Sequence, residues 1–242
     1  MVYRLFSLRQ TRCPPNKMSS KQDDAHIWNA YNLLLNCKDT ERIRKLVTRY
    51  ALFTRTLNIP GDIVECGVFK GTSMMMFLKF LKIHCCGSEK KVIGFDFFGE
   101  TRKDVGFALD GNDAEHMDKL FTESNFSGIT KATLQKRAED IYPGHCTLIN
   151  GDISETAQSF VEQNPGTRIS LLHMDLDVAK PTFDALNALW DRVVKGGIII
   201  LDEYAIGKWS ESEGVDAFLK DKSVIIQTEP WMRTPSAFII KE

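Results

Sequence analysis

Four acids in two short runs carry the sharpest chemistry in the chain. Leu171-Leu172-His173-Met174-Asp175-Leu176-Asp177 and Ile198-Ile199-Ile200-Leu201-Asp202-Glu203-Tyr204 are apolar runs that end in carboxylates. Carboxylates crowded into one small volume repel each other unless some hold a proton or a cation sits among them. An oxygen-only cluster suits magnesium, calcium or manganese. Solvated strand-end acids that merely cap loops and helices are the plainer alternative, an account that suits a lone acid better than two aligned pairs.

Whether the acids meet depends on what joins the two runs. Between them Phe183, Leu186, Leu189, Trp190 and Val193 recur at helical spacing and Lys195-Gly196-Gly197 supplies a turn, so the stretch reads as strand, crossover helix, strand. Such a crossover lays both strands parallel in one sheet, C-terminal ends on one edge and neighbours about 4.8 Å apart. Asp175, Asp177, Asp202 and Glu203 are therefore expected to converge.

The rest of the chain builds around that unit. Upstream come a strand over 62–66, a helix over 72–83, a strand over 91–95, a long polar stretch, a strand over 146–150 and a helix over 155–163. Downstream are a short helix over 215–219 and strands over 224–228 and 236–241, whose connection is too short for a helical crossover and predicts antiparallel pairing. This alternation predicts an α/β fold with a doubly wound, mostly parallel sheet and an antiparallel last strand. In such sheets ligands sit outside the C-terminal strand ends. Two helices, over 27–36 and 39–57, precede the alternation. The second carries Ile43, Leu46, Val47, Tyr50, Phe53, Thr54 and Leu57, a one-sided stripe that must pack on something. The expected organisation is a flexible basic arm over 1–25, N-terminal helices over 26–58 and one domain over 59–242. A lid over about 101–128 is expected within that domain, since a long polar segment in a compact domain tends to cover a site.

Composition narrows the classes. The chain has 242 residues and a formal charge of -1, with no Lys/Arg-rich run interleaved with aromatics, so neither nucleic acid nor an acidic membrane is an expected partner. No apolar segment reaches the roughly 18 residues of a membrane span. The basic N-terminus lacks the apolar stretch of a secretion signal; an organelle transit segment or an arm clasping a homo-oligomer stays open. Six cysteines without a C-x-x-C pair fit reduced thiols in a cytoplasmic protein.

Other polar residues fall on the same sheet edge. Gly67 and Gly71 follow the first strand in Glu65-Cys66-Gly67-Val68-Phe69-Lys70-Gly71-Thr72. Glycines there let backbone approach a ligand, and a helix N-terminus offers free N–H groups. The spacing is neither G-x-G-x-x-G nor a P-loop, which disfavours a nicotinamide oxidoreductase, and a plain tight turn is the competing account. Asp96 ends the second strand, where an acid can accept hydrogen bonds from a ribose diol or simply cap its loop. Asp152 ends the third and could reach an adenine amino group or cap the helix after it. His116 and His145 read as surface residues and His173 as a satisfied core histidine.

Taken together, Val64-Glu65-Cys66-Gly67-Val68-Phe69-Lys70-Gly71, Gly94-Phe95-Asp96-Phe97-Phe98-Gly99, His173-Met174-Asp175-Leu176-Asp177 and Gly196-Gly197-Ile198-Ile199-Ile200-Leu201-Asp202-Glu203-Tyr204 resemble the macrocin O-methyltransferase (TylF-type) family from about Asp39 onward. The resemblance implies a class I, Rossmann-like methyltransferase domain that uses S-adenosylmethionine and Mg2+ to methylate the hydroxyl of a sugar, often on a nucleotide-linked deoxyhexose or a glycosylated metabolite. It implies that Glu65, Gly67 and Gly71 contact the methionine part of the cofactor, Asp96 the ribose and Asp152 the adenine surroundings. It assigns the metal to Asp175, Asp202 and Glu203 and the general base to Asp177. Two departures stand out: Asp202-Glu203 replaces the paired aspartates common before the tyrosine, and Val178 occupies a position where some members carry a histidine base. A metal-dependent catechol or phenol methyltransferase and a non-catalytic S-adenosylmethionine-binding protein are the alternatives.

Overall fold

A computed structural model of the chain describes residues 21–85, 87–99, 108–109, 111–123 and 129–242. The arm over 1–20 and much of the expected lid lie outside the described residues. Among the described residues the order is α1 (Lys21–Asn36), α2 (Glu41–Arg55), β1 (Asp62–Cys66), α3 (Thr72–His84), β2 (Val92–Asp96), α4 (Gly111–Glu123), α5 (Lys131–Ile141) and β3 (Cys146–Asn150). It continues with α6 (Ile153–Gln163), β4 (Ile169–Met174), α7 (Ala179–Leu189), β5 (Val193–Leu201), α8 (Glu211–Leu219), β6 (Ile226–Gln227) and β7 (Ala237–Ile240). Residues 21–25, expected in the arm, form the first turns of α1.

Seven strands make one sheet in the order β3-β2-β1-β4-β5-β7-β6. The first five are parallel, and β7 runs antiparallel to both β5 and β6. The crossover read between the two acidic runs is present: β4, α7 and β5 follow in turn, with His173 opposite Ile200 and Met174 opposite Leu201. Strand order reverses between β1 and β4, which opens the ligand crevice at their C-terminal ends. β5 begins earlier than its apolar run suggests, because Val193 already pairs with Ile169 before a register shift over the glycine turn. Among the described residues no helix is long and apolar enough to cross a membrane.

Strand periodicity sorts side chains onto two faces. Val64, Cys66, Leu172, Met174, Ile199 and Leu201 pack with α6, α7 and α8. Ile63, Leu171, Ile198 and Ile200 pack with α2, α3 and α5. Glu65, His173 and Asp202 share the parity of the second set, so three polar side chains lie side by side on the face that α2 covers.

The face of α2 departs from expectation. Leu46, Val47 and Tyr50 are exposed, while Thr48, Arg49, Leu52 and Phe53 are buried. The expected stripe packs at Phe53 but not at Leu46, Val47 and Tyr50, because the buried face is shared between Leu52 and Phe53 on the core and Arg49 on Asp202. All residues of α1 escape burial, including Trp28 and Leu33.

Candidate functional site

A cavity opens at the C-terminal sheet edge, and each crevice-forming strand sends a loop to it. From β1 come Gly67 and Phe69, from β2 Asp96 and Phe97, from β3 Gly151 and Asp152, from β4 Asp175 and Asp177, and from β5 Asp202 and Glu203. Lys45 of α2, Met117 and Leu120 of α4, and Trp209 complete the wall. Every acid expected at a strand tip except Glu65 is there.

Gly67 explains why the first loop can lie so close to the fourth. A Cβ at this position would stand 1.8 Å from the backbone oxygen of Asp175, and its φ of +90° is one that L side chains rarely adopt. Sheet pairing also runs one residue past the strands, with Gly67 N–H donating to Phe95 O and Asp175 N–H to Cys66 O, each at 2.9 Å. Asp96 then ties the first loop down: its Oδ2 accepts from Phe69 N–H at 2.7 Å and its Oδ1 from Phe98 N–H at 3.0 Å. Burial pushes the Asp96 carboxyl above its ordinary range, and these backbone donors oppose the shift without cancelling it. Asp152 takes the capping role: its Oδ1 accepts from Ser154 N–H at 2.8 Å at the start of α6, while the residue also lines the cavity.

Glu65 and Gly71 are not brought to the cavity wall. Glu65 is fully buried behind it; one oxygen accepts from the Ser73 hydroxyl and faces His173 Nδ1, and Oε2 has no partner. Gly71 precedes α3 with a φ of +82°. His173 is a satisfied core histidine as expected, its Nδ1 3.2 Å from Glu65 and its Nε2 3.2 Å from Asp202. Burial works against its charge, but the hydrogen bonds to Asp202 and Glu65 outweigh it and push its pKa up to about 9. Both acids thus favour its protonated form.

The second half of the cavity holds the carboxylates. Asp202, 1% exposed, is met by Arg49 Nη2 at 2.8 Å as well as by His173. Burial disfavours its ionised form, yet His173 and Arg49 hold it below the usual carboxylate range. Asp175 lies 3.6 Å from the same guanidinium nitrogen, but burial and then Asp202 drive it well above its usual value. Burial followed by repulsion from Asp202 pushes Asp177 up to about 6 and Glu203 to about 7. Asp177 does not continue the strand. β4 stops at Met174, and Asp177 takes a left-handed φ of 65°, so a bend rather than strand alternation turns its carboxylate into the cavity.

The expected metal trio is not the tightest set. Among the described residues, the acids and histidines whose ligating atoms all fall within 4.8 Å are Glu65, His173 and Asp175. His173 spends both ring nitrogens on Glu65 and Asp202 and so is a poor ligand, which makes this set a buried hydrogen-bonded cluster rather than a metal cage. Asp175, Asp177, Asp202 and Glu203 line the same cavity as oxygen donors, a donor type that suits a hard divalent ion, and Arg49 and His173 already counter part of their charge.

Apolar spacing missed three groups. Arg49 and Lys45 sit one turn apart on α2 and face the acids; nothing in the sequence marks them, since charged residues on a surface helix are ordinary. Glu211 is buried at the start of α8, accepting from Glu203 N–H at 3.1 Å, with its other oxygen unpartnered. The expected lid is helical in part: Asp113 of α4 accepts from the Ser210 hydroxyl at 2.8 and 2.7 Å, and His116 meets Trp209 edge-on.

A doubly wound sheet with a cavity at its switch point, lined by Gly67 and strand-tip acids, defines a class of ligand-binding α/β domain. The model of the macrocin-O-methyltransferase (TylF) family matches residues 39–229, and the chain belongs to that family. It is 27% identical over 152 residues to the 8-demethyl-8-(2,3-dimethoxy-alpha-L-rhamnosyl)-tetracenomycin-C 4'-O-methyltransferase of Streptomyces olivaceus, covering 61% of this chain and 54% of that protein. It is 26% identical over 149 residues to demethyldecarbamoylnovobiocin O-methyltransferase of Streptomyces niveus, with the same coverage. The chain thus matches about half the length of these relatives. Its fold is shared with CalS11, a calicheamicin methyltransferase, at 21% identity and a TM-score of 0.64 over 93% of this chain and 94% of that one. The O-methyltransferase NovP shares it at 21% identity and a TM-score of 0.68 over 82% and 80%.

Proposed function

We propose that this protein is an S-adenosylmethionine- and Mg2+-dependent O-methyltransferase that acts on a sugar hydroxyl, on a nucleotide-linked deoxyhexose or a glycosylated metabolite. The observation that carries the reading is the division of one cavity into a glycine-and-Asp96 half and a four-carboxylate half. Family membership and the sugar-directed names of the relatives support it.

The cofactor fits the first half. Glu65 Oε2 is a buried acceptor without a partner between the end of β1 and α3, the kind of atom that suits a cationic amino group. Asp96 lines the cavity with a carboxylate that could accept from the hydroxyls of a ribose, and Asp152 would lie on the adenine side. Asp175, Asp202 and Glu203 would hold a divalent ion, which would supply Lewis acidity toward the acceptor hydroxyl. Asp177 would take the proton of the acceptor hydroxyl, and the cofactor would supply the activated methyl group to that oxygen. Met117, Leu120 and Trp209 wall the cavity against water. The free thiols Cys37, Cys66, Cys85 and Cys146 are consistent with a reducing, cytoplasmic setting.

Phe97 and Trp209 on the wall favour one second reading, a flat catechol acceptor. The deciding assay offers S-adenosylmethionine with nucleotide-linked 6-deoxyhexoses and, separately, a catechol, and follows methyl transfer by mass with and without chelator. Sugar methylation that stops on chelation and returns with magnesium is expected. Methylation of the catechol alone overturns the sugar reading, and full turnover after exhaustive chelation overturns the metal.

A further inference from the structure

Arg49 is a buried cation placed between two acids of the cavity. It is 3% exposed, and a single nitrogen, Nη2, stands 2.8 Å from Asp202 Oδ1 and 3.6 Å from Asp175 Oδ2. Its Nε is buried with no partner. A guanidinium seated as a structural tie pairs its fork with one carboxylate through two parallel bonds. Arg49 instead spends one nitrogen on two carboxylates and leaves another donor unsatisfied, which is the placement of a point charge between acids. Such a group cannot shed its proton, so the positive charge is permanent. His173 meets the same Asp202 oxygen from the sheet, and Lys45 approaches from the cavity side.

We propose that Arg49 is a built-in counter-cation for Asp175 and Asp202 that holds the carboxylate cluster together without metal and, through the same contacts, weakens its hold on a divalent ion. The inference rests on the metal reading above. Without a cation, the acids converging on this edge repel one another, and Asp202 is buried where an unpaired charge is costly. With Arg49 in place, an arriving ion meets a like charge a few ångströms away and an Asp202 oxygen already engaged. The consequence is a site that is folded and open before metal arrives and that releases metal readily.

The test uses the full chain, Mn2+ as the probe, and the Arg49→Met and Arg49→Lys variants. Free Mn2+ is followed by electron paramagnetic resonance, and thermal unfolding is recorded in chelator and in saturating Mn2+. Arg49→Met should bind Mn2+ about tenfold more tightly than the natural protein, with Arg49→Lys within about threefold of it. The unfolding temperature of Arg49→Met should fall in chelator and recover in Mn2+. If Arg49→Met does not fold in chelator, refolding on addition of Mn2+ supports the proposal and failure to refold overturns it. Equal, measurable Mn2+ affinities in all three proteins, with a stability loss that Mn2+ does not repair, overturn the proposal and leave Arg49 a structural tie in a genuine metal site. Absence of Mn2+ binding in all three overturns the metal reading itself and this inference with it.

Discussion

Asp96 and Asp202 end parallel strands of one sheet and face one cavity, yet they are stabilised by opposite means. Asp96 is half-buried and is met by the backbone N–H groups of Phe69 and Phe98. Asp202 is buried and is met by the side-chain cations Arg49 and His173. Dipoles do not offset the burial of Asp96, so its carboxyl lies above the ordinary range; charges more than offset that of Asp202, which lies below it. The difference separates two kinds of ligand. An acid held only by dipoles retains a preference for further donors such as hydroxyls, whereas Asp202 is ionised between two cationic partners and its charge, after burial, drives up the neighbouring Asp175, Asp177 and Glu203. What creates the contrast is α2, which reaches over the β4–β5 half of the edge with Lys45 and Arg49.

Removing each acid in turn is the strongest way to break the comparison. Asp202→Ala strands a guanidinium and an imidazolium in the interior, a loss of about 3–5 kcal/mol. In chelator this lowers the unfolding temperature by roughly 10 °C for a domain of this size. Asp96→Ala removes acceptors for loop amides but strands no buried cation and should cost under about 3 kcal/mol. Equal losses measured by denaturant titration of the two variants would show that dipoles and charges support the edge alike.

That asymmetry was only half legible in the sequence. The β4–α7–β5 crossover could be read because helical spacing and a glycine turn lie between two apolar runs, and handedness then dictates which ends meet. Asp175, Asp177, Asp202 and Glu203 followed from it, Asp96 and Asp152 were read from the ends of the second and third strands, and all six reach the cavity. Arg49 was not legible. Its helix carries an apolar stripe through Leu46, Val47 and Tyr50 that outweighs one arginine in any periodicity argument, and the partner that buries Arg49 lies 153 residues away. Glu65 was assigned to the cofactor by the family resemblance alone; strand parity turns its side chain toward α3 and His173, behind the cavity wall, and leaves its Oε2 without a partner. Glu211 was invisible for a related reason: a helix-start glutamate is ordinarily solvated, and only the turn after β5 folds this one under Glu203.

Within the acidic half, Asp177→Asn sharpens the division of labour among the carboxylates. The amide keeps the size and much of the hydrogen bonding but cannot accept a proton as a carboxylate does. Turnover should fall by roughly 10²-fold, equivalent to about 2.7 kcal/mol of barrier, while Mn2+ and cofactor affinities stay near those of the natural protein. Near-normal turnover would move the proton to another group and make Asp177 one more member of the cluster.

The smallest effect is expected at the other half, where Asp96→Asn tests whether a dipole-held acid is reserved for a ligand. The variant keeps one acceptor oxygen and so one of the two loop amides; either Phe69 or Phe98 loses its partner, at about 1 kcal/mol. Because the folded-state pKa of Asp96 is raised above its ordinary value of 3.8, the folded protein holds this proton more tightly than the unfolded chain. Its contribution therefore favours folding at low pH and is lost as pH rises from about 4 through the raised pKa. The amide has no such titration, so stability of the variant should decline less over that window. Loss of the charge that receives the ribose hydroxyls should weaken binding of S-adenosylmethionine or its demethylated product by about tenfold, close to 1.4 kcal/mol, in calorimetry at neutral pH. Unchanged affinity alongside the flattened pH response would make Asp96 a loop clamp alone, and the contrast with Asp202 would then concern folding rather than ligands.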